Sequence, residues 1–236
     1  MSLPIIAIRP QPGLAATLDH ARALGLEIFG EPMFQIRAVD WQAPDLASID
    51  ALLIGSANAI RHGGDQLRAF CTKPVHAVGN VTAQAAQEAG FTVANVGNGG
   101  LQSLLDGLPR KPLRFLRLAG AERVVLAAPQ DVWIEERIVY ESAALAMPGS
   151  VEKQLRRGAI ALLHSAAAAR HLAAECARLA VPAQGIALAA FGPRIGAAAT
   201  AAAKAAGIGE WAQIRYCQPS SEAALLALAK DMCQGN

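Results

Sequence analysis

The sequence contains few aromatic residues and few charges. Aromatic residues make up 5% of the 236 residues and charged residues 17%, whereas 53% are hydrophobic. Aliphatic side chains and alanine must therefore fill the interior, a composition that suits alanine-rich helices packed on aliphatic strands. A chain of this length buries one large or two small cores, because domains usually contain about 100–150 residues.

A strong excess of one charge sign is also missing. The net charge is only +2, and the lysines and arginines are scattered along the chain, so we expect no nucleic-acid partner. No apolar run approaches the roughly 20 residues of a membrane span, and we expect no membrane association. The first ten residues have no basic segment ahead of an apolar run, and Arg9 interrupts the only one there. We therefore expect no secretory signal and a cytoplasmic protein.

Cysteine and histidine do not occur at metal-binding spacings. The four cysteines form no CxxC pair and have no histidine at ligand spacing. His164 and His171 are seven residues apart, but no carboxylate completes a metal set. A zinc site and a redox pair are therefore disfavoured, and reduced, partly buried thiols are expected.

Familiar cofactor and hydrolase motifs are missing too. No G-x-G-x-x-G follows the first strand, and neither G-x-x-x-x-G-K-[ST] nor G-x-S-x-G occurs. The glycine-rich segment 97–100 is interpreted as a loop and helix start. Nucleotide binding and a serine-hydrolase triad are therefore not supported.

Short apolar runs alternate with segments of helical spacing. Helices are predicted at 11–24 and 81–89, each followed by a glycine in the preferred position after a helix, Gly25 and Gly90. Strand, helix and strand in succession predict parallel sheets. The predicted strands are 5–9, 26–29, 51–54, 75–78, 91–96, 113–118, 133–140, 159–163, 186–189 and 211–216.

The two halves of the chain repeat one plan. Residues 51–61 align with 160–170, and both put a serine, Ser56 or Ser165, at a strand-to-helix junction. Val78-Gly79 aligns with Phe191-Gly192, and 98–105 with 219–226. Chance similarity explains any single block, but the shared order favours duplication. Two similar α/β lobes are therefore predicted.

Two stretches do not fit the repeat and are candidate linkers. They are 31–39, which contains Pro32, and 136–142, which contains Tyr140. Two lobes joined by two linkers predict a cleft where polar strand ends meet and small molecules bind.

Several predicted helices begin with a small hydroxyl, amide or glycine directly after a strand. Free backbone N–H groups and the helix dipole favour carboxylates or phosphates at such ends. For any one of these residues, capping of its own helix is the better interpretation, because serine, threonine and asparagine are standard N-caps. Tyr140 either packs against a lobe or faces the cleft, and Arg9 is equally compatible with a surface charge. The residues are Ser56, Asn58, Gly79, Thr82, Ser165, Gly192, Ser220 and Ser221.

Six short segments follow one another from residue 4 to about residue 230. They are Arg9-Pro10, Ser56-Ala57-Asn58-Ala59, Val78-Gly79 with Thr82-Ala83, Val139-Tyr140, Ser165 after an apolar strand, and Pro219-Ser220 before the last helix. In this order they resemble the uroporphyrinogen-III synthase family. No single segment is specific, and the resemblance is carried by the ordered series.

The resemblance implies an α/β fold of two flavodoxin-like lobes with parallel sheets, joined by a two-stranded β linker with a cleft between the lobes. One lobe would combine residues 1–34 and 143–236, and the other would be 35–142. The N-terminal strand-helix-strand unit would thus pack with the C-terminal part of the chain, an exchange that composition does not indicate.

The implied activity is that of a cyclising hydro-lyase in haem biosynthesis. It dehydrates and cyclises hydroxymethylbilane with inversion of ring D, through a spiro intermediate, and needs no metal or organic cofactor. By the resemblance, Tyr140 assists departure of the hydroxyl group, although a phenol is a weak acid at neutral pH. The residues implied to bind the substrate carboxylates are Arg9, Ser56, Asn58, Gly79, Thr82, Ser165, Gly192 and Ser220.

The second half departs from the family pattern. Ile195 stands where a threonine commonly follows a Gly-Pro pair, and Ala166 to Ala169 carry no polar side chain. Two alternatives stay open: a non-catalytic, bilobed cytoplasmic sensor of a small acidic ligand, and a purely structural interaction module. We expect a monomer, because no heptad pattern is visible, and transient contact with hydroxymethylbilane synthase stays open.

Overall fold

The structure is a computed structural model that describes residues 3–109 and 111–234. Within these ranges it contains eleven strands in an α/β arrangement. They are β1 (Ile5–Ala7), β2 (Ile28–Gly30), β3 (Phe34–Ala38), β4 (Ala51–Ile54), β5 (Val75–Val78), β6 (Val93–Gly97), β7 (Leu113–Gly120), β8 (Val132–Ala144), β9 (Ala159–Leu163), β10 (Ile186–Ala190) and β11 (Gln213–Tyr216).

Helices occupy most of the connections between the described strands. They are α1 (Gly13–Ala23), α2 (Ala57–His62), α3 (Gly64–Arg68), α4 (Asn80–Glu88), α5 (Gly100–Asp106), α6 (Gly149–Arg156), α7 (Ala166–Arg178), α8 (Pro193–Ala206) and α9 (Glu222–Gln234). Short 3₁₀ turns lie at Leu46–Ser48 and Ala183–Gly185.

Local sequence signals fix several of these boundaries. The predicted glycines after α1 and α4 have the left-handed backbone that ends a helix, with φ of +67° at Gly25 and +88° at Gly90. Every residue of β4 and of β9 is buried, as is typical of a parallel strand that is covered on both faces. Glycine placement and continuous apolar runs therefore predicted these elements correctly.

The chain divides into two compact units. Unit 1 is the chain up to Gln35 together with the chain from Ala144 onward, and unit 2 is Ile36–Ala143. The chain passes from unit 1 to unit 2 inside β3, and it returns to unit 1 at the last residue of β8. These two strands are neighbours in one sheet, so the stretches predicted as linkers extend that sheet at its edge.

Unit 1 is built on a five-stranded sheet with the order β11-β10-β9-β1-β2, and all its registered pairs are parallel. One face carries a core that includes Ile6, Leu163 and Leu172. The other face carries a core that includes Ile5, Leu162 and Leu225. Alternate residues of β1 and β9 therefore point into separate cores, as the period of a strand requires.

Unit 2 contains a six-stranded sheet with the order β3-β8-β7-β4-β5-β6. Strands β4 to β8 pair in parallel in that sheet. Leu52 and Leu116 belong to the core on one face, and Leu53 and Phe115 to the core on the other. Two parallel sheets covered on both faces confirm the predicted α/β class.

The aligned serines occupy equivalent places in the two units. Ser56 follows β4 and caps α2, and Ser165 follows β9 and caps α7. The internal repeat that the sequence indicates is therefore also a repeat of structure at these junctions.

Other sequence expectations concern cysteines, metals and membranes. All four cysteines are free, and Cys176 and Cys217 are buried. Burial raises the pKa of the Cys176 thiol to about 12, which makes it an unreactive core residue. Among residues 3–109 and 111–234, no three His, Cys, Asp or Glu side chains are grouped as metal ligands. No helix in the same ranges has the length and apolar character needed to cross a membrane.

Candidate functional site

In unit 2, the predicted site residues lie where strands give way to helices. Ser56 Oγ accepts a hydrogen bond from the backbone N–H of Asn58 at 3.2 Å, so it caps α2. Gly79 has φ of +76° and begins α4, and Thr82 lies buried in the first turn of that helix. Ser56 therefore caps its own helix, as a serine at this position is expected to do. The cap uses a lone pair of the hydroxyl oxygen and leaves the hydroxyl hydrogen available.

One cavity in unit 2 brings two predicted residues together. It has a volume of about 260 Å³, and its lining includes Ser56, Tyr140 and Arg117. Within the part of the chain that the structure describes, Asn58, Gly79 and Thr82 do not line this cavity. The other lining residues are Gly55, Val78, Gly100, Leu101, Leu118, Ala119, Gly120, Glu122, Arg123 and Val124.

Tyr140 is held at this cavity by the pairing of β7 with β8. It lies opposite Gly120, at a register shift that follows Ala119. A Cβ atom built on Gly120 would lie 2.7 Å from Tyr140 Cε2 and Cζ, so the phenol ring packs directly on the glycine backbone. The Tyr140 ring centroid is 6.4 Å from that of His62. A glycine at 120 thus makes room for the phenol at the edge of the cavity.

Arg117 is a buried charged residue at this cavity that sequence reasoning missed. Its side chain is 4% exposed, and Nη1 lies 2.8 Å from Glu136 Oε2. Nη2 donates to the Val124 carbonyl at 2.9 Å, whereas the buried Nε has no hydrogen-bond partner. Burial lowers the pKa of Arg117, the charge of Glu136 opposes this shift, and the charge of Arg123 adds to it.

A sequence signal for Arg117 did exist. Arg114 and Arg117 are three residues apart on one predicted strand, and an odd spacing puts them on opposite faces. Arg117 also lies inside the apolar run from Phe115 to Ala119, so in a sheet covered by helices on both faces it is the arginine expected in the interior. Arg114 is exposed and stacks over Trp133 at 5.7 Å, so Arg117 is the buried one.

In unit 1, an ionic cluster lies at the ends of β1 and β9. Glu222 Oε2 is 3.1 Å from Arg9 Nη1 and 3.2 Å from His164 Nε2, and Oε1 accepts from Thr17 Oγ1 at 2.5 Å. Burial alone would raise the pKa of Glu222, but hydrogen bonds from His164 and Thr17 and the charges of His164 and Arg9 lower it to about 2. Arg9, predicted to bind substrate, thus already has a carboxylate partner.

Glu222 and His164 were not predicted as part of this cluster. Glu222 stands in the first turn of α9, where acidic residues are common because they complement the helix dipole. Nothing in the local sequence indicates that α9 packs beside β1 and β9, so the pairing with Arg9, 213 residues away, was not visible.

The remaining predicted residues also belong to unit 1. Ser165 is exposed, and its Oγ accepts from the backbone N–H of Ala168 at 3.1 Å. Gly192 begins α8, and a Cβ built on it would lie 3.4 Å from Ser220 Oγ, so these two residues are neighbours. Ile195 packs against the core of unit 1, which accounts for an apolar residue where the family pattern has a hydroxyl.

The chain matches one family in a comparison with known protein families. The model of the family described as uroporphyrinogen-III synthase HemD matches residues 15–208. No match was found among curated protein sequences.

Two solved structures are similar over nearly their whole length. A uroporphyrinogen-III synthetase from Helicobacter pylori 26695 has a TM-score of 0.62 at 17% identity, covering 98% of this chain and 99% of that one. A mutant uroporphyrinogen III synthase from the extremely thermophilic bacterium Thermus thermophilus has a TM-score of 0.50 at 17% identity, covering 99% of this chain and 100% of that one. At this identity the similarity establishes a shared fold.

Proposed function

The chain belongs to the uroporphyrinogen-III synthase HemD family, and on that basis we propose how its residues carry out the reaction. Its function is that of a uroporphyrinogen-III synthase, a cyclising lyase that converts hydroxymethylbilane into uroporphyrinogen III. The family match across residues 15–208 is the observation that supports this function most strongly.

The reaction requires little chemistry but strict geometry. The hydroxymethyl C–O bond breaks, and the oxygen leaves as water after accepting a proton. The pyrrole nitrogen supplies the electron pair that leaves an electrophilic azafulvene. Closure without the enzyme gives the other ring isomer, so the protein must hold the chain for attack at the substituted carbon of ring D, which forms a spiro intermediate. The older bond from that carbon to the methylene of ring C then breaks, which leaves a second azafulvene on ring C. The free α carbon of ring D attacks this methylene and loses its proton, so ring D is inverted in the product.

We assign the proton donor to Tyr140. The Tyr140 ring packs on Gly120, and Tyr140 lines the cavity of unit 2. These contacts support a fixed position for the phenolic hydroxyl. The phenol donates its proton to the departing oxygen and recovers one from the ring-closed product. Positioning of the substrate contributes more to the rate than this weak acid does.

The substrate carboxylates are assigned to groups at the strand ends. In unit 2 these are Ser56, Asn58, Gly79 and Thr82, and in unit 1 Arg9, Ser165, Gly192 and Ser220. The first turns of α4, α7 and α8 support this assignment, since the positive end of a helix dipole attracts anions. Ser56 and Ser165 accept hydrogen bonds from their own helices and keep a hydroxyl hydrogen for a carboxylate.

The remaining features are also proposals. We propose that residues 1–34 with 143–236 and residues 35–142 act as the two lobes of the enzyme. The protein is further proposed to be a cytoplasmic monomer with no nucleic-acid partner that makes transient contact with hydroxymethylbilane synthase.

A coupled assay tests the function. Hydroxymethylbilane is generated in situ by its synthase, this protein is added in substoichiometric amount, and the oxidised products are separated into uroporphyrins I and III. Many equivalents of isomer III per protein molecule are expected, rising with protein concentration. Stoichiometric binding of the bilane with only isomer I formed would instead identify a non-catalytic binding protein.

A further inference from the structure

The connection from β7 to β8 differs from the helical connections of unit 2. It consists of residues 121–131, all of which the structure describes, and these residues form no helix although the two strands pair in parallel. Parallel strands are usually joined through an α-helix, whose backbone groups bond to one another. The backbone of residues 121–131, which we call the crossover segment, must therefore find its partners elsewhere.

The crossover segment buries little apolar surface. Val124 is 62% exposed and Val125 is 96% exposed, whereas Leu126 packs against the core on one face of the sheet. A segment with few buried apolar contacts opens locally at a low cost in free energy. Hydrogen bonds from neighbouring side chains therefore decide where this segment lies.

The crossover segment forms part of the wall of the cavity in unit 2. Glu122, Arg123 and Val124 line this cavity together with Tyr140. The backbone N–H of Ala121 donates to the Tyr140 carbonyl at 2.9 Å, so the segment begins on the residue that we assign as proton donor. A displaced crossover segment would leave the cavity without this wall.

Gln102, on α5, anchors the other end of that wall. Its Oε1 accepts from the backbone N–H of Ala127 at 2.9 Å, and its Nε2 donates to the Ala127 carbonyl at 2.9 Å. One side-chain amide thus pairs with both backbone groups of one residue, as a neighbouring strand would. Nε2 also donates to Asp106 Oδ1 at 2.9 Å, which fixes the orientation of the amide.

Helix α5 is a firm support for this anchor. Leu101, Leu104 and Leu105 are buried in the core that the helix covers. Leu101 also lines the same cavity as the crossover segment. The Gln102 amide therefore ties one wall of the cavity to a helix that supplies another part of its lining.

The size of the cavity restricts its occupant. A volume of about 260 Å³ lies just below the range of about 300–1,000 Å³ that holds a complete small ligand. The cavity therefore suits one part of a tetrapyrrole.

We propose that Gln102 is a positioning residue for the reaction, which holds the crossover segment in place as a wall of the cavity that receives part of the tetrapyrrole. This inference rests on the proposed function, because it is the tetrapyrrole that fills the cavity. Without the anchor, only a fraction of the molecules has a complete cavity before substrate binds. Apparent affinity falls in proportion to that fraction, and saturating substrate restores the complete cavity.

A split between KM and kcat tests the inference. Gln102→Met keeps the length of the side chain but removes both hydrogen bonds to Ala127. The KM for hydroxymethylbilane should rise about 5-fold or more, while kcat stays within about twofold of the unmodified protein. A purely structural role would lower the unfolding midpoint and leave the KM of the folded protein unchanged.

Gln84→Met is the matched control. Gln84 is exposed on α4 and donates to Glu88 Oε1 at 2.8 Å, four residues along its helix, as Gln102 does to Asp106. The control loses that type of bond but no bond to the crossover segment. Its KM should stay within about twofold of the unmodified protein.

A second measurement uses the unmodified protein and does not depend on the folding of a variant. Backbone hydrogen exchange is followed by mass spectrometry under anaerobic conditions, with and without saturating uroporphyrinogen III. Exchange in peptides that cover residues 121–128 should slow when this tetrapyrrole is bound. Unchanged exchange in those peptides, while other peptides of unit 2 slow, would overturn the inference.

The outcomes separate the two levels of the proposal. Absence of isomer III with the unmodified protein would overturn the proposed function. Normal synthesis of isomer III, together with a folded Gln102→Met variant whose KM matches that of Gln84→Met, would overturn only the assignment of Gln102.

Discussion

At the scale of single residues, Tyr140 carries the only proton-transfer role that we assign. Tyr140→Phe keeps the packing on Gly120 but removes the hydroxyl group. We expect kcat to fall about 10- to 100-fold, toward the low end of general-acid effects, because a phenol is a weak acid at neutral pH. The product should remain isomer III, because the positioning of the chain is retained.

The chain offers a matched control, since its only other tyrosine is Tyr216, which is 49% exposed on β11. Tyr216→Phe should retain the kcat of the unmodified protein in the same assay of isomer III formation. A Tyr140→Phe variant with unchanged kcat would remove the phenol from the mechanism.

Gly120 provides an independent test of the position of the phenol. In Gly120→Ala, the new methyl group would lie 2.7 Å from the Tyr140 ring, so the ring must move. Because the clash is with the end of a side chain, we expect kcat to fall several-fold or more with only a small change in the unfolding midpoint. Both quantities are measured beside Gly149→Ala, whose Cβ meets no atom within 4 Å. Equal kcat values in the two variants would show that the ring position does not matter.

The sequence predicted those residues of the candidate site whose role depends only on their neighbours along the chain. Ser56 and Ser165 follow apolar runs that are readable as strands, and helix capping is a short-range property. Arg117 and Glu222 acquire their partners only through tertiary packing, and no short sequence window contains both members of either ion pair. The helix starts were therefore visible in the sequence, and the ion-pair partners of Arg117 and Glu222 were not.

At the scale of elements, α7 holds the segments by which the chain leaves and re-enters unit 1. Its Glu175 accepts from the backbone N–H of Met147 at 2.5 Å and from Arg178 Nε at 2.8 Å. His171 Nε2 lies 2.7 Å from the Leu145 carbonyl, and its ring packs edge-on against Phe34. Two adjacent turns of α7 thus stabilise both the segment by which the chain leaves unit 1 and the segment by which it returns.

Glu175 makes the stability of the protein depend on pH. The hydrogen bonds from Arg178 lower the pKa of Glu175 from 4.5 to about 2. Burial opposes this shift, and the Met147 N–H and the charges of Arg178 and His171 add to it. A carboxyl pKa lowered by folding stabilises the protein above the unfolded-state value. That stabilisation is lost as pH falls from about 4.5 toward 2.

Glu175→Gln should lower the free energy of unfolding at pH 7 by about 1–3 kcal/mol, since buried hydrogen bonds to a charge are lost. The difference from the unmodified protein should shrink as pH falls through that window. Denaturant unfolding at several pH values measures the loss of unfolding free energy and its dependence on pH. Subtracting the values of the two proteins at each pH removes the contribution of Glu222, which both proteins share. Asp19→Asn breaks an exposed pair of the same i,i+3 spacing and should have little effect. A difference that does not vary with pH would contradict the assignment.

Most elements follow from local sequence, and β8 shows where this fails. The predicted strand 133–140 extends to Ala144 in the structure. Residues 141–144 include Glu141, Ser142 and two alanines, which have little intrinsic preference for strands. Strand β8 lies between β7 and β3 in the sheet, and pairing with neighbours overrides that weak preference.

At the scale of the whole molecule, unit 1 is discontinuous. Strand β1 pairs with β9, so that Ile5 lies beside Ile160. Periodicity reports which residues face a core, but not which distant strand completes the sheet. The α/β class and the repeat were thus readable from residues, whereas the exchange of the N-terminal segment was expected only through the family resemblance.

The two units repeat one plan with different chemistry. Each joins a fully buried strand to a serine-capped helix, β4 to α2 and β9 to α7. Unit 2 adds a cavity lined by Tyr140 and Arg117, and unit 1 adds the cluster of Arg9, His164 and Glu222. The charged residues thus differ between the two units, while the strand-to-helix framework is retained.

The most direct test of the function is a single-turnover experiment with the protein in excess over hydroxymethylbilane. Products are quenched, oxidised and separated into uroporphyrins I and III, beside a sample without the protein. Predominantly isomer III is expected, because the bound chain is held for attack at the substituted carbon of ring D, which leads to inversion of that ring. The same isomer I product with and without folded protein would contradict the assignment as a uroporphyrinogen-III synthase.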